Sequence, residues 1–314
     1  MADEIEPRAI LDSLGVRDAT VIARLSGGSR TVAYRVETPR EAYALRVFRA
    51  GADETRWCEV AAMRAAEAGG VPVPHVVSVG SWQAHPAVLL SWCTGHTVFD
   101  ELSVRPWQAY RLGVLVGRTL AVIHQVSAPT VLREQRDSWV DWAGPDDGPL
   151  RQRLWELSRT EDDAALLHLD YHWKNIMTDG TRITGVLDWE NARAGDPRAD
   201  LARTVSILLV DTRGPHSPSS AEQRMRLALA RGCLGGYAGV AGVPSEHATR
   251  PRFQARRHRT GAHPRLDRRA ETPRGPPGRP IARRSSPGVS SRAHRSMTSW
   301  YRHLLAASRG RSSS

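Results

Sequence analysis

Between His168 and Asp200 the sequence sets carboxylates and an amide at intervals that suit the handling of a phosphate group. The run His168-Leu169-Asp170-Tyr171-His172-Trp173-Lys174-Asn175 supplies one carboxylate and, five residues on, an amide; after a short strand, Asp188-Trp189-Glu190 supplies a second carboxylate. A hydroxyl attacking the γ-phosphate of ATP needs a carboxylate to orient it and take its proton, and the phosphates need Mg²⁺ held by oxygen ligands. In that chemistry Asp170 is the expected base, and Asn175 and Asp188 are the expected metal ligands.

The elements around these residues must bring them together. Tyr171 to Lys174 reads as a loop, Asn175-Ile176-Met177 as the start of a strand, Thr178-Asp179-Gly180-Thr181 as a turn and Ile183 to Leu187 as the returning strand. Asn175 and Asp188 are therefore expected at strand ends facing one cleft. Upstream, Thr20 to Leu25, Ser26-Gly27-Gly28-Ser29-Arg30 and Thr31 to Glu37 read as strand, glycine turn and strand. Such a turn is commonly a plain hairpin, but its glycines also let backbone N–H groups approach phosphate oxygens. Ala42 to Phe48 is a third strand carrying Arg46, and Asp53 to Ala68 a helix carrying Glu59 and stopped by Gly69-Gly70. Strands at His75 to Gly80 and Pro86 to Trp92 lead into a connection at Ser91-Trp92-Cys93-Thr94-Gly95. Beyond it the spacing predicts a short helix at Val98 to Leu102 and a long one over Pro106 to Gln125. The long helix has Trp107, Tyr110, Leu112, Leu115, Val116, Leu120 and Ile123 on one apolar face. Further helices are expected at Pro7 to Leu14, Leu150 to Ser158, Arg198 to Val210 and Ser220 to Gly236.

In this order the residues resemble the catalytic segment of the aminoglycoside phosphotransferase and choline kinase-like family, relatives of the protein kinases. That family's pattern is His-x-Asp-x-x-x-x-Asn, a strand, then Ile/Leu-Asp-Trp/Phe-Glu/Asp; Gly195-Asp196-Pro197-Arg198-Ala199-Asp200-Leu201-Ala202 resembles its Gly-Asp-Pro-x-x-Asp-Leu-Ala. The resemblance implies a bilobal α+β protein-kinase-like fold. It would have a small antiparallel-sheet lobe over residues 1–94 that binds nucleotide, and a mostly helical catalytic and acceptor lobe over 95–249. It implies Asp170 as base, Asn175 and Asp188 as Mg²⁺ ligands, and Asp200 as a buried carboxylate bracing the catalytic loop. It makes Ser26, Gly27, Gly28 and Ser29 the loop over the nucleotide phosphates. Arg46 would hold the α- and β-phosphates, paired with Glu59 or, failing that, Glu54, and Trp92 would lie at the hinge beside adenine. His124 is expected as a core histidine. Leu169 stands where many members carry Gly, a departure expected not to touch the chemistry, and Lys174 is an unusual neighbour for Asn175. The implied activity is ATP- and Mg²⁺-dependent transfer of phosphate to a small-molecule hydroxyl. Asp141, Asp146, Asp147, Trp139 and Trp142 together suit an aminoglycoside-type or other amino alcohol, while each taken singly reads as solvated surface.

Composition bounds the rest. With 40% hydrophobic and 25% charged residues, the 314-residue chain can bury two cores. The N-terminus is acidic with no apolar run behind it, no segment is long enough to span a membrane, and Cys58, Cys93 and Cys233 lack metal-ligand spacing, so a cytoplasmic protein with reduced thiols is expected. The net charge of +11 is uneven: residues 250–314 hold 17 Arg and no Lys against Asp267 and Glu271, which leaves residues 1–249 at −4. Nucleic acid is therefore an expected partner only through this basic tail. The Arg-, Pro-, Gly- and Ser-rich tail is expected to be disordered. It reads as a polyanion-binding arm, a linker to a final amphipathic piece, or, the reading favoured by its abrupt onset, a shifted reading frame. The rivals to an active kinase are then a catalytically impaired nucleotide-binding protein and a tail-mediated polyanion binder.

Overall fold

Alternating apolar residues build an antiparallel sheet with two different faces. Its strands are β1 (Val21–Arg24), β2 (Thr31–Glu37), β3 (Ala42–Phe48), β4 (Val76–Trp82) and β5 (His85–Ser91), in the order β1-β2-β3-β5-β4. Tyr34, Val36, Leu45, Val47, Ala87 and Leu89 project to one side, where Ile10 and Leu11 of helix α1 (Pro7–Ser13) cover them. Ala44, Phe48, Val88 and Leu90 project to the other, against Val60 and Met63 of helix α2 (Asp53–Ala68). Arg46 belongs to this second face, in register between Ala33 and Val88. Asp53 and Glu54 open α2, where negative charge favours a helix N-terminus, and Arg56 ties that end to Asp53 and to the carbonyl of Gly80. The computed structural model describes residues 6–25, 31–135, 164–210 and 219–242, with Val140, Pro149 and Gln152 as single positions.

Below the sheet lies a mostly helical lobe, giving the bilobal α+β, protein-kinase-like architecture expected. Its elements are β6 (His96–Thr97), α3 (Val98–Val104), α4 (Ala109–Ile123), α5 (Thr130–Arg133), β7 (Ala165–Leu167), β8 (Ile176–Thr178), β9 (Ile183–Val186), β10 (Arg193–Gly195), α6 (Pro197–Val210) and α7 (Ser220–Ala241). Thr97 and Asp100 close a capping box at the start of α3. The hairpin β8–β9 pairs with β6, and β10 pairs with β7, so the chain between Leu167 and Asp188 is held at both ends by sheet. Among the described residues no helix is long and apolar enough to cross a membrane.

Two helix expectations are corrected. The long helix begins at Ala109 after a single tight turn at Pro106–Gln108, and Trp107 and Tyr110, expected on its buried face, are 75% and 57% exposed. Helix α7, expected to stop at Gly236, runs on to Ala241. The second has its cause in packing: Gly113 and Gly117 of α4 face Gly232 and Gly236 of α7 so closely that a Cβ on any of the four would strike backbone of the other helix. The glycines are packing positions and not stops, and the contact needs no aromatic from α4. The expected helix at Leu150 to Ser158, the turn Ser26 to Arg30 and the tail from residue 250 lie outside the described residues.

Candidate active site

Strand β7 ends at Leu167, and the next residues are fixed by a carboxylate from α6. Asp200 is fully buried and accepts from the His168 N–H at 2.6 Å and the Leu169 N–H at 3.0 Å. Its carboxyl is held below the usual range: burial pushes it up, but His124 and the His168 amide outweigh that. Leu169 adopts φ +58°, a left-handed conformation uncommon for a side chain of its bulk, and its carbonyl accepts from Arg203 Nε. The departure from Gly here is therefore a backbone matter after all. Leu169 must hold the loop in a shape that Gly adopts freely, with Asp200 and Arg203 clamping it.

The two histidines of the loop have tautomers set by the backbone. Asp170 N–H donates to His168 Nδ1 at 3.2 Å, so His168 carries its proton on Nε2, which donates to the Leu187 carbonyl at 3.0 Å. Burial lowers the pKa of His168. One neutral ring thus joins the Asp170 loop to the residue before Asp188. Lys174 N–H donates in the same way to His172 Nδ1 at 3.2 Å, leaving Nε2–H 3.6 Å from Asp170 Oδ2. Arg203 NH2 lies 4.0 Å from Asp170 Oδ1. Burial alone would raise the Asp170 carboxyl, but His172 first, then His168 and Arg203, bring it down to about 2. Asp170 is thus a partly exposed carboxylate, ionised across the neutral range.

Asn175 and Asp188 stand at the ends of the β8–β9 hairpin, joined by the Leu187 N–H to Asn175 carbonyl bond of 2.8 Å. Asn175 Nδ2 donates to the Asp170 carbonyl at 3.1 Å and to its Oδ2 at 3.3 Å, which leaves the amide oxygen available to a cation. Asp188, at φ +62°, keeps its side chain 44% exposed. Opposite, Arg46 NH1 lies 2.7 Å from Glu59 Oε1 and its NH2 3.4 Å from Asp188 Oδ1, so Glu59 and not Glu54 is the acid it pairs with. Burial pushes the Glu59 carboxyl up to about 7; Arg46 opposes this, while Asp188 and Glu190 add to it.

The structure thus brings Asp170, Asn175, Asp188, Arg46 and Glu59 to one cleft. Trp92 follows β5 at the connection between lobes, its N–H bonded to the Ala42 carbonyl at 3.2 Å and its ring under the Arg35 guanidinium at 4.8 Å. Ser26, Gly27, Gly28 and Ser29 lie outside the described residues. Lys174 is exposed, with Nζ 5.0 Å from the Phe99 ring. The sequence reading passed over His172 and Arg203. His172 stands two residues from Asp170 and Arg203 three from Asp200, offsets that carry meaning only once the loop and α6 are folded together. His124 is buried and bonded, as expected of a core histidine.

The sequence profile of the phosphotransferase enzyme family (APH) matches residues 21–243. The chain belongs to that family. No curated protein sequence matches it. Among solved structures, this phosphotransferase is similar to aminoglycoside phosphotransferase APH(4)-Ia, at 18% identity and a TM-score of 0.49 over 77% of this chain and 97% of that one. It is also similar to spectinomycin phosphotransferase APH(9)-Ia in complex with ADP and spectinomycin, at 12% identity and a TM-score of 0.49 over 76% and 88%. A third is an aminoglycoside-3'-phosphotransferase of type VIII, at 17% identity and a TM-score of 0.45 over 66% and 92%.

Proposed function

We propose that this family member transfers the γ-phosphate of ATP to a hydroxyl of a small molecule, of aminoglycoside type or another amino alcohol, with Mg²⁺. The observation that carries the reading is the convergence of an ionised Asp170, the Asn175 amide and Asp188 below the Arg46–Glu59 pair. Asp170 aligns the acceptor hydroxyl and takes its proton as the oxygen attacks phosphorus. A carboxyl near pKa 2 is a weak base, so its main contribution is orientation, with the proton leaving late. Arg46 stabilises the phosphates, and the bidentate capacity of its guanidinium suits two phosphate oxygens. The same reading assigns Trp92 and the hinge to the adenine and Ser26, Gly27, Gly28 and Ser29 to the phosphates, with residues 1–94 as the nucleotide lobe and 95–249 as the acceptor lobe.

The donor set fits Mg²⁺. Among the described residues no cluster of three or more His, Cys, Asp or Glu could hold a metal alone. Mg²⁺ in nucleotide sites takes only one or two protein oxygens and completes its shell with phosphates and water. The Asn175 amide oxygen and the half-exposed Asp188 carboxylate are such a pair; the ion, when bound, neutralises phosphate charge.

The test is ADP release by the purified chain with Mg·ATP over a panel of aminoglycosides, macrolides and small amino alcohols, with Asp170→Asn alongside. Acceptor-dependent release that disappears in the variant, with Mg·ATP still raising its unfolding temperature, is the expected outcome. Wild-type turnover by Asp170→Asn would remove it from the base position. Nucleotide-dependent stabilisation without ADP from any acceptor would leave a nucleotide-binding protein without transfer.

A further inference from the structure

Behind the catalytic loop, three side chains from three helices form a line that the proposed reaction does not use. Tyr237 on α7 places its hydroxyl 2.8 Å from His124 Nδ1; His124, just past the end of α4, places Nε2 3.2 Å from Asp200 Oδ2; and Asp200 on α6 receives the His168 and Leu169 N–H groups at 2.6 and 3.0 Å. His124 and Asp200 are 3% and 0% exposed at their side chains. The His124 and Tyr237 rings also meet edge to face at 5.4 Å.

The direction of each hydrogen bond follows from what its ends can do. An ionised Asp200 only accepts, so His124 must carry a proton on Nε2. In a neutral imidazole Nδ1 is then an acceptor, and the Tyr237 hydroxyl donates to it. This fixes the His124 tautomer and keeps Nε2–H aimed at the carboxylate, which in turn holds two successive N–H groups of a strained turn at Leu169. Helix α7 cannot drift away from this line, because its glycines sit against those of α4 two turns from His124.

We infer that Tyr237 is a positioning residue for the catalytic loop: through His124 and Asp200 it holds the backbone at His168 and Leu169, and so the direction of Asp170. The inference rests on the reading of Asp170 as the base. It makes α7, near the end of the region matched by the family profile, part of the catalytic frame.

The experiment is amide hydrogen exchange, resolved at His168 and Leu169, on the full chain carrying Tyr237→Phe. Ala238→Gly is run beside it as a neighbouring change that weakens α7 without entering the line. The expected result is at least tenfold faster exchange at these two amides in Tyr237→Phe than in Ala238→Gly at matched distance from the unfolding midpoint. With an acceptor in hand, kcat falls about fivefold while KM for ATP stays within twofold. Wild-type protection of the two amides, or equal opening in both variants, overturns the inference. The ¹⁵N shifts of the wild-type imidazole give a second test that needs no variant. In the neutral ring His124 is expected to carry its proton on Nε2 with Nδ1 hydrogen-bonded, and a neutral ring protonated on Nδ1 instead overturns the line. If no acceptor is ever phosphorylated, the proposed function fails, yet the exchange and NMR results still decide the role of Tyr237.

Discussion

Around Arg46 the side chains are charged, buried and incompletely bonded, whereas around Asp200 they are charged, buried and bonded on both oxygens. Arg46 Nε has no hydrogen bond among the described residues, and the Glu59 carboxyl rests on its ion pair with Arg46 and the Trp189 N–H. Asp200 spends its oxygens on two backbone N–H groups and His124. A buried polar atom without a partner costs about 1–3 kcal/mol. The contrast between these two clusters separates two jobs. The first cluster is left for a ligand to complete, and the second is frame that stays as it is.

The largest effect should come from breaking the frame. Asp200→Ala leaves the His168 and Leu169 amides and His124 without an acceptor, and urea unfolding should show a loss of about 3–5 kcal/mol, with Asp200→Asn losing less because its amide oxygen still accepts. An Asp200→Ala midpoint equal to wild type would end the distinction between frame and cleft. Close behind comes Gly117→Ala, whose new Cβ meets the Cys233 carbonyl. It should lose about 1–3 kcal/mol, while Gly239→Ala on the same α7, with open space around it, should gain a few tenths to about 1 kcal/mol.

These two glycines also show where the sequence was legible and where it was not. Strands β2 and β3 and helix α2 lie on the residues expected, because alternation, β-branching and the Gly69-Gly70 stop are local signals. The order His168, Asp170, Asn175, Asp188, Asp200 likewise let one cleft be expected from spacing. A glycine in a helix gives no such signal. Gly236 reads as an end, and only the approach of α4 shows it to be a contact. The same holds for Trp107, whose apolar spacing says buried while the fold leaves it exposed, and for Leu169, whose strain is set by bonds from residues over thirty positions away. Pairwise geometry between distant segments is what a single sequence does not carry.

On the cleft side the effects should depend on pH. Glu59 has a folded pKa near 7, above its ordinary 4.5, so the native chain holds its proton more tightly than the unfolded chain. Stability from that proton is fully present below pH 4.5 and is lost as pH rises through 7. Relative to Glu59→Gln, the wild-type chain should therefore lose stability over this window, on the order of 2–3 kcal/mol by pH 8. Thermal unfolding of the two proteins from pH 5 to 8 checks it, and parallel curves would mean that Arg46 keeps Glu59 ionised throughout.

The smallest effect tests whether the cleft is exchangeable at its mouth as well as its centre. Arg35 lies over the Trp92 ring at 4.8 Å and pairs with Glu37 at 2.8 Å, but its side chain is 44% exposed, so the stacking contributes only about 0.5–1 kcal/mol. The Trp92 backbone is independently pinned by its N–H on the Ala42 carbonyl, so Arg35→Ala frees the ring without moving the hinge. If that ring is a wall of the nucleotide site, KM for ATP should rise about two- to fivefold with kcat unchanged, the fold-change that such an energy corresponds to. An unchanged KM would take Trp92 out of the nucleotide site. A fall in kcat at constant KM would mean that the mouth of the cleft reaches the reacting groups, and the boundary between exchangeable cleft and fixed frame would have to be drawn closer to the sheet.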